Sequence, residues 1–171
     1  MRFAILPSGT LVLPPLPVWP KGALPALQFD SGVAMLRRHS PSMGVRPPKD
    51  TIFLTIPASV VKPAVDWTLI LLRECGVKYT DQSFDCENFC YELYQTLCKM
   101  AAVAGLKAAP CVGEIDVAAY NDWAGVKAGG LHALCVLFTD LGPIVVESQN
   151  GQNIPLEAYP NRTSITWADG F

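Results

Sequence analysis

The apolar positions of the chain fall into two periodicities, and they place most of its elements. Thr51–Ile56 is β-branched and aromatic and predicts a strand, ended by Pro57. From Ser59, a candidate cap, Val61, Val65, Leu69 and Leu72 recur at helical spacing, with Trp67 and Leu71 widening the apolar face. A helix over about 60–75 follows, with Pro63 tolerated in its first turn and Gly76 as its stop. Phe89, Leu93, Leu97 and Met100 repeat the same spacing after a short loop, Tyr79 to Phe84. They predict a second helix, capped by Asp85 or Ser83, running to about Ala104 and ended by Gly105.

Beyond that helix the pattern changes to unbroken apolar runs. Residues 109–118 predict a strand and 119–130 a loop ending in Gly129-Gly130. Leu131–Thr139 and Ile144–Ser148, joined by Asp140-Leu141-Gly142-Pro143, predict an antiparallel hairpin. A last strand is expected at Ser164–Trp167. Residues 1–50 read differently. They are rich in proline and broken by Ser8-Gly9, Lys21-Gly22 and Ser31-Gly32, which predicts short extended pieces and turns, with a hairpin at Ser8-Gly9. This segment is expected either to wrap the core or to be an attachment region, with the main domain spanning 51–171.

Composition narrows the classes of function. Half of the 171 residues are hydrophobic and 16% are charged, which suits one domain with one sizeable core. Net charge is −2 without a basic run, so nucleic acid is not expected as a partner. No apolar run reaches the ~20 residues a membrane span needs, so no membrane is expected either. Pro7, Pro14, Pro15, Pro17 and Pro20 interrupt the place of a signal helix, which favours a cytoplasmic location. The cysteines, Cys75, Cys86, Cys90, Cys98, Cys111 and Cys135, sit at core-like positions and form no C-x-x-C pair. They read as reduced thiols, with neither disulfides nor structural zinc.

One thiol stands apart. Cys86 lies in the first turn of its helix, where free amides and the helix dipole favour a thiolate and can stabilise an oxyanion. His132 opens an apolar strand after two glycines that permit close approach, which suits it to act as the base. Glu147, on the next strand, is the leading group to orient the imidazole. If Asp140 pairs with Pro143, Glu147 falls opposite Val136 and shares the parity of His132; a register shifted by one brings Asn150 opposite His132 instead. Asn150 and Gln149 are therefore reserve orienters, Gln82 is an oxyanion candidate by proximity, and Trp123 and Tyr120 are candidate pocket walls.

Asp85-Cys86-Glu87-Asn88-Phe89, followed by His132-Ala133 and then Glu147, resembles the Cys–His–acid order of bacterial transglutaminase-like cysteine peptidases over about residues 60–155. The resemblance implies an α+β fold of papain-like, transglutaminase-like type, with a central helix carrying the cysteine packed on an antiparallel sheet. It implies a cysteine hydrolase or acyltransferase, a peptidase or amidase working through a thioester on a peptide, protein or amide substrate. The family's usual aspartate is a glutamate here. No cofactor or metal is expected, because Asp85, Glu87, Glu114 and Asp116 lack the spacing of a calcium loop. The alternative expectation is an inactive transglutaminase-like binding or structural module, such as part of a virus particle.

Overall fold

The computed structural model describes residues 13–20, 26–46, 52–77 and 86–170. In chain order the elements are β1 (Ala26–Gln28), α1 (Phe29–Arg37), β2 (Gly44–Arg46), β3 (Ile52–Leu54), α2 (Ala58–Glu74), α3 (Cys86–Val103), β4 (Val112–Ala118), β5 (Leu131–Thr139), β6 (Gly142–Val146), β7 (Asn153–Pro155) and β8 (Ile165–Gly170). Six strands form one sheet in the order β2-β8-β4-β5-β6-β7, and β1 pairs with β3 in a separate ribbon.

Strand β5 explains the architecture. Its side chains from Ala133 to Thr139 are all buried, because the sheet is covered on both faces. Cys135 and Leu137 enter one core with Val60, Val61, Val65, Leu93 and Leu97 from α2 and α3. Leu134, Val136 and Phe138 enter a second core with Val33 and Leu36 from α1 and with Phe53, Leu156 and Tyr159. Gly32 of α1 sits so close to the Phe138 ring that an added Cβ would lie 3.2 Å from it. The described part of the proline-rich segment is built into both cores: Trp19 is 2% exposed in the first, and Val33, Leu36 and Met43 are buried in the second.

Helix α2 begins one residue before Ser59, and Ser59 is not its cap. The N–H of Ala58 donates to Asp140 Oδ1 at 2.8 Å, so a carboxylate 82 positions away caps the first turn. Its C-terminus matches the glycine signal. Gly76 has φ +67° and Val77 N–H donates to Leu72 O, which satisfies the last carbonyls. Gly105 ends α3 in the same way, with φ +78° and Leu106 N–H donating to Ala101 O. The nine-residue helix α1 has no counterpart in the sequence reading, because its prolines flank it rather than interrupt it. The expected turn at Ser8-Gly9, the loop Tyr79 to Phe84 and the caps Ser83 and Asp85 lie outside the described residues.

The papain-like, transglutaminase-like fold expected from the sequence is corrected. Among the described residues strands outnumber α-helices eight to three, and the sheet, rather than a central helix, is the middle of the domain. The sheet is mixed, not antiparallel, because β2 runs parallel to β8. The parallel pair is made by the N-terminal segment, whose strand the sequence reading did not place.

Candidate functional site

Three elements bring Cys86, His132 and Glu147 together. Cys86 is the first residue of α3, with Glu87 beside it in the first turn. His132 is the second residue of β5, where the strand emerges from its covered part, so its side chain is only 12% exposed while Leu131 before it is 82% exposed. Glu147 directly follows β6. The β5–β6 register pairs Cys135 with Val146 and Thr139 with Gly142. Continued by one step it sets Glu147 opposite Leu134, two residues from His132 on the same face. That register differs by two from the expected pairing of Asp140 with Pro143, because the two-residue turn sits one position earlier, at Asp140-Leu141. A shift of two preserves parity, so Glu147 still reaches the imidazole diagonally.

The contact is direct. His132 Nε2 lies 2.5 Å from Glu147 Oε2, and the glutamate side chain is 3% exposed. Glu147 Oε1 accepts the N–H of Gln149 at 3.0 Å, which fixes the carboxylate from behind. Cys86 lines the same cavity as this imidazole and acts on its charge. With Nε2 engaged by Glu147, Nδ1 is the ring nitrogen left for the thiol. Burial opposes a charge on His132, but hydrogen bonds and charges from Cys86 and Glu147 outweigh it, and the imidazole is raised to about 9 from its ordinary 6.5. The site therefore stabilises an imidazolium between two acids.

Cys86 and His132 open into a cavity of about 240 Å³ lined also by Glu87, Asp116, Leu131, Ala133 and Thr166. Three thiols lie deeper in the cores or against them. Burial raises Cys98, raises Cys90 well above an ordinary thiol and pushes Cys111 up to about 12. All six cysteines are free.

The remaining sequence candidates fall elsewhere. Asn150 does not reach His132: its Nδ2 donates to Ala124 O at 2.6 Å and its Oδ1 accepts from Gln152 N–H, so it ties two loops together. Gln149 takes part only through its backbone N–H. Trp123 packs edge-on against Tyr159, with ring centroids 5.1 Å apart, and so covers a core instead of lining the cavity. Tyr120 is exposed, and its N–H is held by Asn161 Oδ1. Gln82 lies outside the described residues. Among the described residues no three His, Cys, Asp or Glu side chains converge to hold a metal ion.

Sequence reasoning passed over two contributors and weighed a third, Asp116, only as a calcium ligand. Asp116 lines the cavity, at a half-buried position that alternates with buried Ile115 and Val117 along β4. Tyr159, 1% exposed, is raised to about 12 by burial and by the charge of Glu147, against the hydrogen bond it makes with Asn161. Asn161, 3% exposed, accepts the N–H groups of Tyr120 and Asn121 and returns a bond to Asn121 O, which fastens the loop before His132. Neither Tyr159 nor Asn161 carried a local signal, because both act across about 40 positions of sequence.

No family model and no curated protein matches the chain. Solved structures do. The chain is similar to that of a PSL1a–E64 complex, with a TM-score of 0.62 and 14% identity, over 84% of this chain and 50% of the other. It is also similar to Polyporus squamosus lectin bound to human-type influenza-binding epitope Neu5Aca2-6Galb1-4GlcNAc, with a TM-score of 0.59 and 13% identity, over 84% of this chain and 49% of the lectin. The chain thus spans about half the length of the solved chains it matches, and at this identity the likeness is one of fold. It corrects the family and the function read from the Asp85–Phe89 block. The fold is shared with a lectin structure rather than a transglutaminase, and the lectin's bound epitope is a glycan rather than a peptide, protein or amide. The peptidase or amidase expected from the resemblance is set aside. Among the described residues no helix is long and apolar enough to cross a membrane.

Proposed function

We propose that this chain is a binding module whose ligand groove holds a nucleophilic thiol. Cys86 is the nucleophile, His132 its base, and Glu147 the group that holds the ring in place and balances its charge. The observation that carries the reading is the His132–Glu147 contact of 2.5 Å in a ring that lines one cavity with Cys86. A cysteine used only for packing has no need of an imidazole, still less of one fixed by a buried carboxylate that a backbone amide also holds. The fold shared with Polyporus squamosus lectin supports the binding half of the proposal. The oriented base supports the other half, thiol-dependent enzymatic chemistry on a bound ligand.

Residue-resolved alkylation by iodoacetamide tests it. Cys86 is expected to react ahead of Cys75 and Cys98, which are comparably half-buried. His132→Ala is expected to slow Cys86 by about tenfold or more, the scale of a lost general base. Equal rates at the three half-buried cysteines would refute the proposal.

A further inference from the structure

The cavity beside Cys86 has an electrostatic bias that the thiol and its base do not use. Among the described residues its lining holds two carboxylates, Glu87 from the first turn of α3 and Asp116 from β4, and no lysine or arginine. The one basic group, His132, is already matched by Glu147. Leu131 and Ala133 supply an apolar wall, and Thr166 closes the side toward β8, its hydroxyl donating to Asp116 O at 3.2 Å. Asp116 is placed by the sheet. It pairs with Ala133 of β5 on one side and with Trp167 of β8 on the other, so the three share one face. Trp167 is 38% exposed and lies over Gly44, where no side chain intervenes: a Cβ on Gly44 would fall 2.0 Å from the indole. The indole thus leans toward β2, away from Asp116 and outside the cavity lining.

Partial burial and the nearby charge of Asp169 both work against ionisation of Asp116. Arg46 pairs with Asp169 at 3.4 Å, so this cation is committed one strand further out. A positive group placed in the cavity would favour the ionised Asp116 carboxylate. A carboxylate beside an apolar wall, in the cavity that holds the thiol, favours a ligand with a cationic group.

We propose that Asp116 is a specificity-determining residue of the groove and selects ligands with a positively charged group, an ammonium or guanidinium, close to the atom that meets Cys86. This inference rests on the thiol proposal above and adds the ligand's charge.

Methanethiosulfonates test it on the intact chain. The thiolate sulfur attacks the sulfenyl sulfur, a disulfide forms and methanesulfinate leaves with the bonding pair, so no oxidant is required. Three reagents are compared at Cys86: the neutral methyl compound, an ethyl arm bearing trimethylammonium and an ethyl arm bearing sulfonate. Each rate is divided by that of N-acetylcysteine amide. The normalised cation-to-anion ratio is expected to be about tenfold or more at low salt and to fall as ionic strength rises. Asp116→Asn is expected to reduce that ratio by about threefold or more, while Asp116→Glu retains it. A normalised ratio near one, or one unmoved by Asp116→Asn, overturns the inference while the neutral reagent still reports a reactive thiol. Cys86 inert to the neutral reagent overturns the thiol proposal and this inference with it. A preference for the sulfonate arm points to an acidic ligand and refutes the assignment of Asp116.

Discussion

Replacing Glu147 with Gln removes one charge from the buried pair and leaves its shape. The carboxamide oxygen can still accept the Gln149 N–H that now meets Oε1 at 3.0 Å. What is lost is the anion 2.5 Å from His132 Nε2. Folded His132 keeps its proton to about pH 9, against 6.5 for the ordinary imidazole. The folded state therefore binds more protons in that window. The resulting stabilisation is complete below pH 6.5, declines as pH rises and is lost above about 9. At about 1.4 kcal/mol per unit, the whole effect is on the order of 3 kcal/mol. Cys86 and Glu147 share it, and a buried hydrogen bond to a charged group contributes ~1.5–3 kcal/mol. Glu147→Gln should therefore destabilise the fold by about 2 kcal/mol near pH 6 and by much less near pH 10. The His132 ring resonances should titrate near or below the ordinary value, because burial then meets less opposition. Urea unfolding at both pH values, with NMR titration of His132, measures both quantities. Equal destabilisation at the two pH values, or a ring still titrating near 9, would refute the account of the pair.

Three further outcomes follow from the loops around the site. Ala124 has φ +53° and precedes Gly125 at φ +90° in the two-residue turn between Trp123 and Val126. Ala124→Asn suits that turn better and should raise the urea midpoint by an amount equivalent to ~0.5–1 kcal/mol, with no change in the slope of the transition. Gly151→Ala should cost about 2 kcal/mol in the same assay, because φ is +77° and the new Cβ would lie 3.0 Å from Val65 Cγ1 and 3.2 Å from Leu69 Cδ1. Asn161→Ala leaves the amides of Tyr120 and Asn121 without their acceptor. It should cost about 2–3 kcal/mol and speed hydrogen exchange at those two amides.

The elements of the C-terminal two-thirds were legible because each has a local cause. The apolar spacing of α2 and α3 and the uninterrupted run of β5 express which faces are covered, and the positive-φ glycines at 76 and 105 mark the helix ends. The Cys86–His132–Glu147 site was legible for a related reason. A helix start, a strand start after glycines and the far strand of a hairpin each restrict where a side chain can point, and parity in a hairpin survives a shift of two residues.

What tertiary structure alone decided are the relations between distant segments. Asp140 capping α2, β2 joining β8 in parallel, and Trp19 filling the first core are favourable only once chain remote in sequence has been brought alongside. Periodicity reports that a face is buried, not what buries it. The fold shared with a lectin structure therefore lay beyond the local pattern, which a short Cys–His–acid resemblance had assigned to another family. Asp116 shows the same division. Its carboxylate is plain in the sequence, but only the register that sets it between Ala133 and Trp167 places it in the groove with Cys86.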